Sequence, residues 1–260
     1  MNRFTALVAT ATLAASTLAL AAPTTAAPAK ATAYKVTAKI NNTVAIGKET
    51  KLKVRGKVTP KAAGQKVTLQ QRVGNKKSWK ATGTAKIKAN GTYVLKDTPS
   101  TPGPREYRVV KPASNGFAKG ISKALAVEVY SWSKLGYRAS GPMTNLNVTG
   151  ATIATDYYTA SLVSNVSGTA SSIEYTLGRK CLSLRASYAL TDQSASGSTG
   201  AVVVSTDGEV RANHALTVGA VVADEVIDLT DTFRLKFDLT SSATPAAVTA
   251  VATPEVLCTR

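Results

Sequence analysis

The sequence predicts an all-β protein made of two tandem antiparallel β-sandwiches. Short apolar runs alternate with polar residues at period two along most of the chain, the signature of half-buried strands. Gly, Pro, Asn and Asp punctuate those runs at turn-like intervals, and no stretch carries a helical period of apolar residues. The charge also breaks in two. The 260 residues carry a formal net charge of +17, with 22 basic and 4 acidic side chains in residues 31–136 against 8 and 11 in residues 137–260.

The first element is not a strand. "MNRF" is a short basic start, and "TALVATATLAASTLALA" is an apolar run that ends in small residues. That pattern reads as a secretory signal peptide over residues 1–22, cut near Ala21 or Ala22. The Pro/Ala/Thr stretch that follows, residues 23–34, reads as a linker. No later window approaches the length of a membrane span, so the expected location is extracellular, with association to the cell wall as one form of it.

The next elements make up a basic domain, residues 35–131. The runs "TKLKVRGKV", "QKVTLQQRV", "TAKIKANGTYVLK", "REYRVVKP" and "SKALAVEVYSW" alternate as half-buried strands do. Asn90-Gly91 reads as a two-residue hairpin turn, and "TPSTPGPRE" as a loop that a central strand would not contain. About seven strands in roughly 95 residues imply an immunoglobulin-like sandwich. The order "G-x-V-x-P…G-x-x-V-x-L-Q…W-x…G-x-Y…YR" across this domain resembles the small Ig-like modules of secreted actinobacterial proteins. That resemblance implies a fold rather than an activity.

The charges of this domain follow the same alternation. Lys51, Lys53, Arg55 and Lys57 fall on one strand face, opposite Leu52, Val54 and Val58. Lys66 and Arg72 keep that phase on the next run, and Lys86 and Lys88 on another. Placed on neighbouring strands, these rows would merge into one basic sheet face suited to anionic polymers such as acidic envelope polysaccharide. Solvation of an exposed sheet face explains the same lysines without any ligand. With one Trp in the domain there is no base-stacking platform, so a specific nucleic-acid partner is not expected.

The remaining elements, residues 132–260, are again short strands: "SIEYTL", "CLSLRASYAL", "GAVVVSTDGEV", "NHALTV", "EVIDLT", "FRLKFDL" and "AVATPEVLC". Asp207-Gly208 reads as a hairpin turn, and eight or nine strands fit a jelly roll. The only two cysteines are Cys181 and Cys258. In an oxidising compartment they are expected to pair, fastening the last strand to the domain. The succession "S-I-E-Y-T-L", "LSLRASYALTDQSASGSTGAVVVSTDGEV", "DLTDTFRLKFDL" and "AVATPEVLC" resembles the NPCBM-type carbohydrate-binding modules, a galactose-binding-like β-sandwich family. The resemblance implies sugar binding. It departs from the family pattern at Gly168, Thr169 and Ala170, where members often carry a His, and in the closing strand, which lacks an aromatic.

Catalytic chemistry has little to work with. His214 is the only histidine and has no nucleophile elbow beside it. Ser131 to Lys134 matches S-x-x-K without the helix or the companion motifs. Asp192, Asp207, Glu209, Asp224, Glu225, Asp228 and Asp231 fall mostly in turns, which their capping side chains explain. No catalytic residue, metal ligand or cofactor is assigned. Sugar recognition would use aromatic planes, for which Trp132, Tyr137, Tyr157 and Tyr158 are the candidates; as strand neighbours, Tyr157 and Tyr158 should point to opposite sides. The expected function is a secreted, non-enzymatic glycan binder with a cationic face. The alternative is a structural module that binds a protein partner.

Overall fold

A computed structural model describes residues 31–260. The signal peptide and most of the linker assigned from sequence lie outside the described residues. The first half forms β1 (Lys35–Ile40), β2 (Val44–Ile46), β3 (Leu52–Thr59), β4 (Lys66–Val73), β5 (Lys80–Lys86), β6 (Thr92–Asp97), β7 (Gly103–Lys111), β8 (Gly120–Ile121) and β9 (Leu125–Lys134). The second half forms β10 (Met143–Thr144), β11 (Leu146–Ile153), β12 (Asp156–Ser164), β13 (Ser171–Thr176), β14 (Cys181–Leu190), β15 (Thr199–Thr206), β16 (Glu209–Thr217), β17 (Val221–Asp228), β18 (Arg234–Ser241) and β19 (Thr249–Cys258). A single 3-10 turn, Leu135–Tyr137, interrupts the strands.

The protein is all-β, as the alternation predicts. In the first sandwich, β1-β3-β6 face a sheet of β5-β4-β7-β9 that also carries β2 and β8. All these pairings are antiparallel except β2 with β9, which run parallel. Val54, Val67, Leu69, Tyr93, Leu95, Tyr107, Val109, Val127 and Val129 close the space between the sheets, all nearly free of solvent. Alternation is the reason: Leu52, Val54 and Val58 of β3 are buried, whereas Lys53, Arg55 and Lys57 between them are exposed. Polar bonds then tie one sheet to the other. The Asp97 carboxylate on β6 accepts from Tyr107 Oη at 2.5 Å on β7 and from Thr82 Oγ1 at 2.7 Å on β5. Burial first, then that carboxylate, push the Tyr107 phenol above its ordinary pKa.

Three readings of the first half need correction. Tyr34, at the end of the predicted linker, is in the core, and its hydroxyl bonds to Ser114. Asn90-Gly91 does not close a two-residue hairpin, because β5 and β6 belong to opposite sheets. Only Gly91 takes a positive φ there, and Asn90 Oδ1 accepts the Thr92 amide at 3.1 Å, so the turn carries the chain across the sandwich. The Pro-rich loop yields its last residues to a central strand. Pro104 opposes Glu128 on β9, and on the other side its carbonyl accepts the Gly74 amide at 2.7 Å, just past the end of the β4 ladder, which starts at Arg105. The missing amide hydrogen therefore leaves no gap in that ladder.

The second sandwich sets β10-β13-β18-β15-β16 against β11-β12-β19-β14-β17. Its core holds Leu162, Ile173, Tyr175, Leu184, Tyr188, Val204, Phe237, Leu239, Val251 and Val256. Asp207 and Gly208 have φ of 50° and 89° and join β15 to β16 as a two-residue turn, as expected from sequence. A smaller apolar cluster of Ala151, Ile153, Val163, Ala189, Ala250 and Ala252 uses the alternate residues of β12, β14 and β19. It therefore lies on the other side of that sheet. The β11–β12 hairpin makes this possible by folding its tip over the sheet. Ala154 and Thr155 both adopt positive φ there, and the Asp192 carboxylate accepts both of their amides, at 2.8 and 3.2 Å.

The two sandwiches share a strand ladder. β9 pairs with β7 through residues 125–129 and with β19 through residues 131–134, where Ser131 opposes Cys258 and Lys134 opposes Glu255. Cys181 and Cys258 are disulfide-bonded and directly opposite each other on β14 and β19, with Cα atoms 4.0 Å apart. Beyond the bridge, Thr259 donates to the Glu128 carboxylate and the Arg260 side chain lies against Gly103.

Changing both cysteines to Ser should lower the unfolding free energy by about 2–4 kcal/mol, since a closed loop of some 78 residues restricts the unfolded chain by at most ~4.5 kcal/mol. Urea titration of wild type and variant measures it. A pH effect should accompany the Asp207 turn. Its carboxylate accepts the Phe233 and Arg234 amides at 3.0 and 2.8 Å, which hold it below its ordinary range. A depressed pKa adds stability that is present above the unfolded value and is lost as pH falls through the folded value. Below about pH 4, wild type should therefore lose urea resistance more steeply than Asp207→Asn.

Candidate functional site

The strongest electrostatic feature is the outer face of β1-β3-β6. Lys53, Arg55 and Lys57 project from β3 at intervals of about 6.8 Å, the spacing of alternate residues on a strand. Register adds cations beside them: Lys39 of β1 lies directly opposite Arg55, and Lys96 of β6 directly opposite Lys53. All five are exposed, and Lys35 and Lys51 flank them. Asp97 is the one carboxylate on these three strands, and both its oxygens are engaged by Thr82 and Tyr107. Among the described residues, none of these cations joins a salt bridge. An open hollow of about 530 Å³ runs over this face, lined by Lys39, Lys53, Arg55 and Lys57 among others.

Like charges directly opposite on paired strands destabilise a sheet, by roughly 0.2–1 kcal/mol per pair. Here two such pairs stand without a neutralising acid. The ladder beneath them is close-fitting, because Tyr93 reaches across Gly56 to donate to the Thr37 carbonyl at 2.6 Å. A Cβ at position 56 would lie 1.8 Å from that carbonyl oxygen and 2.5 Å from the Tyr93 hydroxyl.

The other predicted cations are not part of this face. β4 and β5 lie in the opposite sheet, so Lys66, Arg72 and Lys86 are carried away from Lys51, Lys53, Arg55 and Lys57, and Lys88 sits in the connecting turn. The single merged basic face expected from sequence is therefore two separate surfaces. A shared phase within each run cannot reveal which sheet a run joins. Arg72 is also committed, ion-paired to Glu106, whose carboxyl it holds below the ordinary range. Trp79 is covered by the Arg72 and Arg108 guanidiniums, 4.9 and 4.2 Å from its ring centre.

The four aromatic candidates divide. Trp132 is half-buried on β9 opposite Leu257, and the Arg185 guanidinium lies 4.3 Å over its ring while bonding Glu255 at 2.7 Å. It is a junction residue, not an open platform. Tyr137 is 76 % exposed on the 3-10 turn, and Tyr157 is 70 % exposed at the start of β12. Tyr158 faces the other way and packs on the small alanine-rich cluster. The Tyr157 ring rests over Gly150, where a Cβ would come within 2.0 Å of its hydroxyl. There it borders a groove of about 450 Å³ between the hairpin and the segment after β14.

His214 meets Glu225 at 3.0 Å and stacks on Tyr188, with ring centres 4.7 Å apart. Ser131 and Lys134, three apart on a strand, point to opposite faces. Among the described residues no group of three or more His, Cys, Asp or Glu side chains gathers as a metal-binding set, and no helix is long and apolar enough to cross a membrane. No protein-family model matches the chain, and no curated protein matches it in sequence.

Sequence reading missed Lys35, Lys39 and Lys96 as members of the basic face, although "KVTAKI" and "TYVLKD" carry the same alternation. Gly56→Ala should separate β1 from β3 locally and cost about 3 kcal/mol or more, as overpacking against backbone does. Thermal unfolding and amide exchange at Ala38 and Arg55 report it.

Proposed function

We propose that this chain is an extracellular, non-enzymatic binding protein that attaches to anionic polymers of a cell envelope through the β1-β3-β6 face. The observation that carries this reading is the cross-strand opposition of Lys39 with Arg55 and of Lys53 with Lys96, with no free carboxylate among them. A bound polyanion would relieve that repulsion and release its own counterions. The apolar, small-residue-ended N-terminus and the Cys181–Cys258 bridge support a location outside the cytoplasm. The likeness of the two halves to Ig-like and NPCBM-type modules supports a surface glycan binder. His214 is engaged by Glu225 and Tyr188, and among the described residues no nucleophile bonds to it, which speaks against a serine–histidine type of hydrolysis.

A protein partner is the second reading, favoured by one observation. β16 and β17 are edge strands of the second sandwich, and Val210, Val221 and Val226 on them are exposed.

Binding to poly(glycerol phosphate) and to heparin should weaken steeply with salt. Changing Lys53, Arg55 and Lys57 together to Glu should abolish it, whereas changing Lys66, Lys86 and Lys88 together to Glu, the same change of charge, should weaken it far less. Isothermal titration at two salt concentrations measures both. Equal losses in the two variants would mean attraction by net charge alone and would overturn the assignment of the face.

A further inference from the structure

Two sheet edges, one on each sandwich, carry opposite charge. Among the described residues β17 pairs only with β14, and β1 only with β3, so each presents unpaired backbone amides and carbonyls on its free side. β17 contains Asp224, Glu225 and Asp228 and no base; β1 contains Lys35 and Lys39 and no acid. Glu225 lies opposite the core residue Ala186 and meets His214 at 3.0 Å, which leaves Asp224 and Asp228 as the outward acids. Among the described residues neither joins a salt bridge, and neither do Lys35 and Lys39.

The spacing of these groups agrees as well as their sign. Lys35, Thr37 and Lys39 are exposed at alternate positions of β1, and Asp224, Val226 and Asp228 are exposed at alternate positions of β17. Laid antiparallel with Asp228 against Lys35, the two edges set Val226 against Thr37 and Asp224 against Lys39. Ile227 then meets Val36 on the buried side. Asp224 has a φ of 50°, which interrupts the extended run, so the paired stretch centres on Val226–Asp228 and the contact leans on charge more than on length. Self-pairing of either edge is disfavoured, because two β17 edges would bring acids together and two β1 edges lysines. The same asymmetry runs through the halves, with 22 basic and 4 acidic side chains in residues 31–136 against 8 and 11 in residues 137–260.

We infer that the partner of these edges is a second copy of this chain: the β17 edge of one molecule adds to the β1 edge of the next, acid against lysine. The two edges belong to different sandwiches, so the contact is heterologous and leaves one edge free at each end. Copies therefore add in a row. The inference rests on the reading of the second sandwich's edge strands as a docking surface for protein and names that protein. It draws nothing from polyanion binding by β3.

The test is sedimentation equilibrium of the mature protein with no polymer present. The weight-average mass should rise with protein concentration up to about 1 mM. Raising NaCl from about 0.05 to 0.5 M should weaken the association by about tenfold or more. Asp224→Lys with Asp228→Lys should abolish it, and so should Lys35→Glu with Lys39→Glu, because each sets like charges against one another. An equimolar mixture of these two variants should associate again, since each then supplies the edge that the other has lost. The Asp228 carboxylate also accepts from Thr230, so Val226→Lys is the check that leaves that turn intact: the Val226 side chain is 65 % exposed, and a lysine there should weaken association by about tenfold or more. Circular dichroism shows that each variant is folded. A monomer at every concentration at low salt, association that survives Val226→Lys, or a mixture of folded variants that stays monomeric overturns the inference. Heparin binding by Val226→Lys should be retained, because β3 is untouched; its loss or retention bears on the cationic face and leaves the sedimentation result to stand by itself.

Discussion

Four residue pairs, Ser131–Lys134 of β9 against Glu255–Cys258 of β19, are the constraint on which the rest of the structure depends. β19 pairs with three strands, β9, β12 and β14, so its position sets the sheet that carries the hairpin and the groove. The disulfide holds its end in register with β14, and Thr259 and Arg260 seat the residues after it on the first sandwich. Loosening this ladder would leave the two hydrophobic cores joined by the chain of β9 but no longer held in register by hydrogen bonds.

The two candidate surfaces arise from opposite uses of the same strand geometry. On β3, alternation throws every second side chain outward, and the sequence places cations at each outward position. On β14 and β19, alternation throws small residues outward instead: Ala189, Ala250 and Ala252. Small side chains let a hairpin lie close over the sheet, and the slot left beside the hairpin becomes a groove lined by uncharged residues, polar and apolar. One surface attracts at a distance through its field; the other can act only by contact.

Much of the fold was legible in the sequence, and the reasons are local. Lys53, Val54, Arg55 and Lys57 announce both a strand and its buried face, and Asp207-Gly208 announces a turn that demands two positive φ angles. The pairing of the cysteines follows from their number and from the expectation of an oxidising compartment. The illegible parts depended on partners distant in sequence. Which sheet β4 joins is decided by β7, some forty residues on, so the phase of the lysines along β4 does not reveal that its cations lie on a different surface from those of β3. The Ala154-Thr155 turn carries no turn residues at all; its strained backbone is held by Asp192, a residue whose role no local pattern reveals. Asn147, Asn165 and Thr191 likewise line one groove only because the hairpin lies beside the segment after β14. Trp132 looked like a binding ring because nothing in its neighbourhood foretold Arg185 lying across it.

The uninterrupted course of β9 has one further consequence. Tandem modules joined by a flexible tether sample many relative placements, and the tether's length then sets how readily a second site engages once the first has bound. Here a single strand runs from one sandwich into the other, so that freedom is absent. The spacing between the two surfaces is a fixed dimension of the molecule, like the gap of a caliper. Any ligand that engages both surfaces must match that spacing, with no linker to adjust it.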